Sequence, residues 1–347
     1  MRLVLAIRSL NIGGAERQFI ELVKNIDKNK FKVYVISMYG GVLENEVLKS
    51  GVKYYNLKKS GRYDINFYFK YKKLLQTINP DVIYSFMGEM NLFSYWTKPK
   101  HTKIIWGFRA SDMDLKKYGK MSQFLFWLQK KYSKNIDKII TNSNASLQYH
   151  KKMGFFMDRA VVVYNGIDIK RFSKKTSNFK KEFHLKDIVI GMVARVDYIK
   201  GYDIFCEVAK EYKNIDFIAI GDGDEKIKRD CKNVKFLGSF KEIEKVYNGI
   251  DILVSASKSE GFSNSIAEAM ACEVPCVVSD VGDSRFIVGE CGEVIKPNSI
   301  KDLKKGIDNI LKKDLKSLAK CSRDRIVKNF SIEKMVKNTE REICAVL

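Results

Sequence analysis

Short runs of apolar, mostly β-branched residues recur along the chain, and longer segments with helical periodicity separate them. The runs are continuous rather than alternating, which is typical of strands covered on both faces. In the first half they occupy Leu3–Ile7, Lys32–Met38, Val82–Phe86, Lys103–Gly107, Lys138–Thr141 and Val161–Tyr164. In the second half they occupy Ile188–Arg195, Asp216–Gly221, Val234–Gly238, Asp251–Ser257, Cys276–Asp280 and Glu293–Ile295. The pattern predicts six parallel strands in each half, joined by helical crossovers.

Two series of strands alternating with helices predict an α/β protein with two doubly wound, Rossmann-like domains. We expect the first domain to cover residues 1–167, because Asn165-Gly166 marks a turn. The second domain then covers residues 168–325, and a C-terminal helix in 326–347 packs back towards the first. Ligands of such folds bind at the carboxyl ends of the strands, so we expect the active site in the cleft between two facing domains.

The composition supports two domains with sizeable cores, since 45% of the 347 residues are hydrophobic. The formal net charge of +22 is unevenly distributed along the chain. Residues 1–170 hold 30 basic and 13 acidic side chains, whereas residues 171–347 hold 33 and 28. The first domain is therefore the candidate for binding an anionic partner.

All seven cysteines lie in the second half, and none forms a Cys-x-x-Cys pair. This favours reduced, buried thiols over a structural zinc site. No segment has the length and hydropathy of a signal peptide or of a membrane span, so we expect a cytoplasmic protein.

The segment Ser257–Met270 follows a predicted strand and opens a helix. Gly261 permits a tight turn, and the backbone N–H groups at the helix start form an anion site. These N–H groups belong to Phe262, Ser263, Asn264 and Ser265. Glu260 and Glu268 lie on either side of the site, where two carboxylates suit the recognition of sugar or ribose hydroxyls. The alternative is structural, since Ser265-x-x-Glu268 fits a helix capping box, and the residues alone leave both interpretations open.

The spacing Glu260-x7-Glu268 resembles the paired-glutamate motif of glycosyltransferase family 4, whose members are retaining, use nucleotide sugars and have the GT-B fold. The resemblance continues through Val281, in the sequence EGFSNSIAEAMACEVPCVVSDV. Further segments that resemble family motifs follow the same order along the chain. They are Asn11–Arg17, Val163–Asp168, Val193–Gly201 with its Arg-x4-Lys-Gly pattern, and Ile220–Gly223.

The resemblance implies a role for each matching residue. Arg195 and Lys200 match the basic pair that holds the donor diphosphate, and fixed cations would stabilise the negative charge that the leaving group accumulates. Glu268 matches the residue that binds the ribose hydroxyls, and Glu260 the one near the donor sugar and its phosphate.

Four further positions are implied more loosely. Gly13 and Gly14 match a glycine loop that lets the backbone approach the donor, and their spacing lacks the Gly-x-Gly-x-x-Gly of dinucleotide oxidoreductases. Phe240 and Lys241 fall where family members frame the nucleotide base.

The chain departs from the family after the predicted strand Lys103–Gly107, where many members carry a histidine that faces the donor sugar. Here Arg109 takes that place among the catalytic residues. Arginine can contact a phosphate or the acceptor, but it cannot act as a general base at neutral pH. Glu89, at another strand end, is a second candidate for contacting the acceptor; the alternative is an exposed loop carboxylate.

Two Asp-x-Asp triplets, Asp112-Met113-Asp114 and Asp222-Gly223-Asp224, resemble the metal-binding pair of a different glycosyltransferase fold. We expect no metal and no other cofactor, because Arg195, Lys200 and the helix terminus already supply positive charge to the site.

Two segments of the first half interleave aromatic and basic residues, Lys58–Lys73 and Lys116–Tyr132. Such a composition suits an anionic membrane surface, which would make the protein peripheral on the inner face of the cell membrane. Non-specific attraction of nucleic acid and a plain solvated helix face are the alternatives.

The sequence thus predicts a hexosyltransferase that moves a sugar from a UDP- or GDP-linked donor to a hydroxyl of a glycan, plausibly lipid-linked. The product would belong to a surface polysaccharide or glycoconjugate, such as lipopolysaccharide or capsule. A nucleotide-sugar epimerase or hydrolase of the same fold is one alternative, and a non-catalytic membrane-associated subunit is another.

Overall fold

A computed structural model describes residues 1–61, 64–109, 111 and 119–347. These residues form two compact units. Unit 1 comprises Met1–Gly166 and Ile332–Leu347, and unit 2 comprises Ile167–Ser331. Each unit is built on a parallel β-sheet with helices packed against it, which confirms the predicted fold class.

Unit 1 contains seven parallel strands within its described residues, in the order β3-β2-β1-β4-β5-β6-β7. The strands are β1 (Arg2–Ile7), β2 (Lys32–Ser37), β3 (Lys53–Asn56), β4 (Val82–Phe86), β5 (Lys103–Phe108), β6 (Lys138–Thr141) and β7 (Ala160–Val162). The helices between them are α1 (Gly14–Asn25), α2 (Glu44–Lys49), α3 (Ile65–Ile78), α4 (Gly88–Thr97), α5 (Lys120–Tyr132) and α6 (Asn144–Lys152).

Alternate residues of β1 bury against different helices. Leu3 and Leu5 belong to the cluster that includes Phe19 of α1, whereas Val4 packs in the cluster that includes Phe67 of α3. Right-handed crossovers explain this division, because connections that run in opposite directions along a parallel sheet place their helices on opposite faces. Helices α1 and α2 therefore cover one face of the sheet, and α3, α4 and α5 cover the other.

The strand β3 is a correction to the predicted six strands of the first half. It is a four-residue edge strand that pairs with β2, and its side chains are partly or fully exposed. Tyr54 donates or accepts a hydrogen bond with Ser37 through its hydroxyl, at 2.8 Å. Pattern analysis missed β3 because a short edge strand does not need the continuous apolar run of a central strand.

Residues 167–331 of unit 2 are all described and form six parallel strands in the order β10-β9-β8-β11-β12-β13. The strands are β8 (Val189–Val193), β9 (Asp216–Ile220), β10 (Lys235–Phe236), β11 (Ile252–Ser255), β12 (Cys276–Ser279) and β13 (Gly292–Ile295). The helices are α7 (Phe179–Glu182), α8 (Tyr202–Ala209), α9 (Glu225–Asp230), α10 (Ile243–Tyr247), α11 (Asn264–Ala271), α12 (Ser284–Val288), α13 (Ile300–Leu311) and α14 (Leu315–Asn329).

The last helix, α15 (Ile332–Cys344), belongs to unit 1 and packs against α1. Gly166 lies directly against the backbone of Ile332, so a side chain at position 166 would overlap it. The Nζ atom of Lys138 lies 2.6 Å from the carboxylate of Glu342. No helix formed by the described residues combines the length and the apolar character that crossing a bilayer requires.

The expectation of uniformly reduced cysteines is wrong for the structure. Cys206 is bonded to Cys231, and Cys291 to Cys321, with Cα atoms 5.5 and 5.4 Å apart. The bonded residues are 25 and 30 positions apart in sequence, so no local spacing pattern reveals them. Cys272 is a buried thiol, and burial raises its pKa to about 12.

Candidate active site

The strand order of unit 2 reverses between the neighbouring strands β8 and β11. From β8 the chain proceeds to β9 on one side, and from β11 it proceeds to β12 on the other. Open α/β sheets bind ligands at such a point, because the diverging connections leave a crevice at the carboxyl ends of the strands. Arg195 follows β8 and Glu260 follows β11, so both lie at this edge of the sheet.

The Arg-x4-Lys-Gly segment forms a tight turn organised by Asp197. One carboxylate oxygen of Asp197 accepts a hydrogen bond from the backbone N–H of Lys200 at 3.1 Å, and the other accepts from Nε of Arg195 at 2.7 Å. Gly201 ends the turn with φ +78°, and a Cβ atom there would overlap the carbonyl oxygen of Ala256. The turn therefore requires glycine at 201 and holds the two basic residues close to β11.

The structure brings together Lys200 and Glu260, which are 60 residues apart. Their Nζ and Oε1 atoms lie 2.6 Å apart, and the side chains are only 24% and 13% exposed. Ser257 donates a second hydrogen bond to the same carboxylate oxygen at 2.8 Å. Gly282, with φ +57°, packs against the carbonyl oxygen of Glu260, where a side chain would not fit. Cation and carboxylate are thus fixed before any ligand arrives.

Helix α11 begins at Asn264, and Ser263 is its N-cap residue. Glu268 is therefore the fifth residue of the helix, which excludes the capping box that Ser265 and Glu268 could have formed. The carboxylate of Glu268 instead accepts a hydrogen bond from the hydroxyl of Tyr247 at 2.9 Å. Tyr247 carries no sequence signal as a site residue, because its contact with Glu268 exists only in the folded unit.

The residues between the two glutamates are partly buried. Gly261 accepts a backbone hydrogen bond from Asp283 at 3.0 Å, and the buried ring of Phe262 packs against Phe330. The hydroxyls of Ser263 and Ser265 lie 3.3 Å apart at the start of α11. The loop that precedes α11 is therefore packed against other residues of unit 2, and α11 begins directly after this loop.

The two residues proposed to frame the base lie further along the same unit. The ring of Phe240 is half-buried and contacts Phe179 and Phe183, with ring centroids 5.8 Å away in each case. Lys241 is exposed, and its carbonyl oxygen accepts a hydrogen bond from Arg171 at 3.4 Å. The framing role of both residues stays a prediction.

The Asp222-Gly223-Asp224 triplet has structural partners. Asp224 is the N-cap of α9 and accepts hydrogen bonds from the backbone of Lys226 and Ile227, while Asp222 accepts from the hydroxyl of Ser239. The triplet Asp112-Met113-Asp114 lies outside the described residues. Among the described residues, no group of three or more His, Cys, Asp and Glu side chains is arranged to hold a metal ion.

In unit 1 the strand order reverses between β1 and β4. Gly13 is the N-cap of α1, with an extended backbone, and Gly14 is the first residue of that 12-residue helix. Glu89 lies in the first turn of α4, and its carboxylate is 3.6 Å from Nε of Arg8. The glycines and Glu89 therefore lie at the carboxyl ends of two adjacent strands.

Arg109 follows β5 and is held by three aromatic and polar neighbours. Its guanidinium lies over the ring of Phe86 at 4.8 Å and donates to the hydroxyl of Tyr84 at 3.0 Å and to Oδ1 of Asn165 at 3.3 Å. The Nε atom is buried and has no hydrogen-bond partner among the described residues. The Nε–H group of Arg109 is therefore a buried hydrogen-bond donor to which the described residues offer no acceptor.

His150 does not fill the place of the family histidine. It lies in α6, where its ring stacks on Phe108 with centroids 4.2 Å apart. Burial lowers the pKa of His150 to about 4. The hydrogen bond between its ring and the carbonyl oxygen of Ser146 raises the pKa, but burial has the larger effect. His150 is therefore a neutral core residue.

The two basic-aromatic segments include α3 and α5, which flank α4 on the same face of the sheet. Ile65 and Phe69 on α3 are exposed, one helical turn apart. Phe124 and Trp127 on α5 are half-exposed and stacked, with ring centroids 5.8 Å apart. Lys131 lies over the ring of Trp127, with its Nζ atom 5.4 Å from the ring centroid. The exposed lysines of the same two helices are Lys70, Lys72, Lys73, Lys120, Lys130 and Lys131. Residues 62–63 and 116–118 of the predicted segments lie outside the described part of the chain.

Comparison with known proteins covers both units. The family model described as Glycosyltransferase Family 4 matches residues 12–171, and the model described as Glycosyl transferases group 1 matches residues 187–313. The O-antigen biosynthesis glycosyltransferase WclY of Escherichia coli is 27% identical over 158 residues, which are 42% of this chain and 44% of WclY, so the match spans less than half of that relative.

A second relative matches over a longer stretch. The N,N'-diacetylbacillosaminyl-diphospho-undecaprenol alpha-1,3-N-acetylgalactosaminyltransferase of Campylobacter jejuni is 26% identical over 269 residues, 70% of this chain and 71% of the relative. The crystal structure of Anabaena Alr3699/HepE in complex with UDP is similar with a TM-score of 0.84 at 18% identity, over 99% of this chain and 100% of that one. At this identity, the structural likeness concerns the fold.

Proposed function

We propose that the chain, whose two halves match glycosyltransferase family models, is a GT-B enzyme and a retaining hexosyltransferase that uses a nucleotide-diphosphate sugar, UDP- or GDP-linked. The observation that carries the proposal is the arrangement at the strand-order reversal of unit 2. There Lys200, which follows β8, lies 2.6 Å from Glu260, which follows β11. Arg195 belongs to the same turn as Lys200 and is held there by Asp197.

The arrangement supports a donor site in unit 2. A departing nucleoside diphosphate gains negative charge as the glycosidic bond breaks, and cations already in place oppose that charge without reorganisation. Arg195 and Lys200 would supply the cations. Glu268, on α11, would accept hydrogen bonds from the ribose hydroxyls, and Glu260 would lie near the donor sugar.

The proposed transfer keeps the anomeric configuration of the sugar. The bond between C1 of the sugar and the phosphate oxygen breaks, and a bond forms between C1 and the acceptor oxygen on the same face. The proton of the acceptor hydroxyl passes to the departing phosphate oxygen, so the step needs no side chain as a general base. Because the departing phosphate oxygen takes the proton, the step is compatible with Arg109, which cannot accept one.

We propose that no metal ion takes part. Arg195 and Lys200 supply the positive charge that a metal would otherwise bring to the diphosphate, and the carboxylates of Asp222 and Asp224 have hydrogen-bond partners in the protein. Transfer that continues undiminished after chelation of divalent ions would support this part of the proposal; loss of transfer that added metal restores would contradict it.

The proposed acceptor is a glycan, linked to a lipid diphosphate, that is extended during surface polysaccharide synthesis. The names of the relatives support it: one acts in O-antigen biosynthesis, and another names a sugar on diphospho-undecaprenol. Unit 1 would bind this acceptor, with Glu89 and Arg109 as candidate contacts.

We further propose that unit 1 docks on an anionic membrane surface, which would place the enzyme on the inner face of the cell membrane. The half-exposed stack of Phe124 and Trp127 gives the surface an apolar part that can enter the headgroup region. Exposed lysines lie on the same helices, α3 and α5, and each lysine contributes about 1 kcal/mol of attraction near an anionic surface. Nucleic acid is the alternative that the test must exclude, because its backbone attracts cations and its bases stack on exposed aromatic rings.

The test is product analysis with purified protein, a panel of UDP- and GDP-linked sugars, and lipid-linked glycan acceptors. The proposal predicts a new glycoside with the anomeric configuration of the donor, measured from the C1 proton coupling by NMR. Free or epimerised sugar formed equally without acceptor would favour a hydrolase or epimerase instead. Absence of a thermal shift with every nucleotide sugar would favour a non-catalytic subunit, because a donor at about 100 times its Kd should stabilise the fold by about 2.7 kcal/mol.

A further inference from the structure

Tyr247 is the last residue of α10, and its hydroxyl donates a hydrogen bond to Oε2 of Glu268 at 2.9 Å. The two helices that carry these residues pack together, although the residues are 21 positions apart. We infer that Tyr247 is a positioning residue, which orients the carboxylate of Glu268 towards the ribose hydroxyls of the donor. The inference rests on the proposed function, which assigns the ribose to Glu268.

The hydroxyl of Tyr247 has a fixed position in unit 2. Its ring is fully buried and packs edge-on against Phe172, with centroids 6.0 Å apart. The next residue, Asn248, donates from its side chain to the carbonyl oxygens of Ser173 and Glu244, at 3.1 and 2.9 Å, which holds the end of α10 in place. The side chain of Tyr247 therefore loses its conformational entropy when the protein folds, and ligand binding does not have to order it.

The protonation state of Tyr247 agrees with its role as a hydrogen-bond donor. Burial raises the pKa of Tyr247 well above its ordinary value, and the charge of Glu268 raises it further, so the phenol keeps its proton at neutral pH. The neighbouring Cys272 also stays protonated, since burial raises its pKa to about 12. Tyr247 is thus a neutral donor to a carboxylate, an arrangement that makes a strong hydrogen bond.

The hydrogen bond from Tyr247 occupies one of the about four acceptor sites that a carboxylate offers on its two oxygens. Fixing Oε2 also fixes the plane of the carboxylate, because both oxygens share it. Glu260 is held in a comparable way by Ser257, at 2.8 Å, so both glutamates of the motif have a hydroxyl that orients them.

The inference is tested by ribose discrimination, which a merely structural tyrosine would not change. Calorimetry on the full chain gives Kd for UDP and 2′-deoxy-UDP, and for GDP and 2′-deoxy-GDP, and the pair that binds is used. The variants are Tyr247→Phe, Glu268→Ala and the double variant. Tyr212→Phe is the matched control, because Tyr212 donates to Asp308 at 2.6 Å elsewhere in unit 2.

We expect the wild-type protein and Tyr212→Phe to prefer the ribose form by about tenfold, and Tyr247→Phe and Glu268→Ala to prefer it by less than about threefold. The double variant should discriminate between the ribose and deoxyribose forms as Glu268→Ala does. Without Glu268, Tyr247 has no carboxylate to orient, so its loss should have no further effect. Wild-type discrimination in Tyr247→Phe, together with its loss in Glu268→Ala, would overturn the inference and leave the proposed function intact.

Wild-type discrimination in Glu268→Ala, or no binding of either nucleotide pair, would instead overturn the ribose assignment of the proposed function. Thermal unfolding checks that Tyr247→Phe is folded, which its unchanged ring favours. If it is not, Glu268→Gln is compared with Tyr247→Phe/Glu268→Gln, in which no buried charge loses its partner. Equal discrimination by those two proteins would likewise contradict the inference.

Discussion

The ammonium of Lys200 lies 2.6 Å from the carboxylate of Glu260, across the point where the strand order of unit 2 reverses. The pair joins two connections that leave neighbouring strands in opposite directions, so the sheet brings a cation and a carboxylate to one edge. Ser257 also donates to the carboxylate of Glu260, at 2.8 Å, so the ammonium of Lys200 is not its sole partner.

We expect Lys200→Ala to lower kcat of sugar transfer by at least about 100-fold, since it removes a fixed cation opposite the charge that develops on the leaving group. The protein should remain folded, because Ser257 still donates to the carboxylate of Glu260 after the cation is removed. Steady-state kinetics and thermal unfolding measure the two effects. Lys210→Ala, which removes an exposed lysine paired with Glu207 in the same unit, should leave transfer unchanged. Near-normal transfer by Lys200→Ala would refute the assignment.

Gly201→Ala should be more damaging than Gly51→Ala, although both glycines have similar φ values, +78° and +74°. At Gly51 nothing lies within 4 Å of the added methyl group, so the expected loss is the backbone term of about 1 kcal/mol. At Gly201 the methyl group overlaps the carbonyl oxygen of Ala256, and we expect a loss of about 3 kcal/mol or more. Chemical denaturation measures both; equal losses would show that the turn tolerates the displacement.

Arg109→Lys should reduce kcat/KM for the acceptor about tenfold while leaving donor binding unchanged. Lysine keeps the charge, but a single ammonium cannot donate to Tyr84 and Asn165 as the planar guanidinium does, nor stack on Phe86 in the same way. Kinetics with the acceptor varied, and calorimetry with the donor, separate the two effects. Arg159→Lys, a change at an arginine beside Phe156 in the same unit, serves as the control. Weakened donor binding in Arg109→Lys would contradict an acceptor role.

Replacing the exposed aromatic pair, in Phe124→Ser/Trp127→Ser, should weaken binding to phosphatidylglycerol vesicles by at least about tenfold, because apolar area no longer leaves water. Vesicle co-sedimentation measures the binding, which should also decrease as salt rises. Leu48→Ser is the control, since Leu48 is an exposed apolar residue on α2, over the opposite face of the sheet. Vesicle binding that survives the double substitution, or equal affinity for RNA, would count against membrane docking.

Acidification should destabilise unit 1 through His150. In the folded protein its pKa is about 4, and in the unfolded chain it is about 6.5. Below pH 6.5 the unfolded state therefore binds more protons, and the free energy of unfolding falls as pH decreases through this window, by about 2 kcal/mol between pH 6.5 and 5.

Denaturation of His150→Leu at pH 7 and at pH 5 tests the contribution. The variant should lose most of this pH dependence, whatever its stability at pH 7, whereas His101→Leu at an exposed position should keep it. The same acid loss in wild-type protein and His150→Leu would assign the effect to other groups.

Periodicity predicted the central strands because burial on both faces requires continuous apolar runs, and β1, β4, β6 and β9 lie within a residue of where the pattern placed them. It missed β3, since the exposed edge of a sheet does not impose that pattern. The local geometry of the candidate site was also predictable, because the turn at Gly201 and the start of α11 each depend on adjacent residues.

What the sequence alone determined was the alternation of strands and helices and the presence of two basic and two acidic residues in the segments that follow β8 and β11. Only the tertiary structure decided which of them meet: Lys200 with Glu260, and Glu268 with Tyr247 rather than with a capping serine. It also decided the disulfide partner of each bonded cysteine, such as Cys291 with Cys321. The physical reason is that hydrophobic periodicity reports burial at single positions, whereas contacts between distant residues depend on strand order and helix packing, which the whole unit sets.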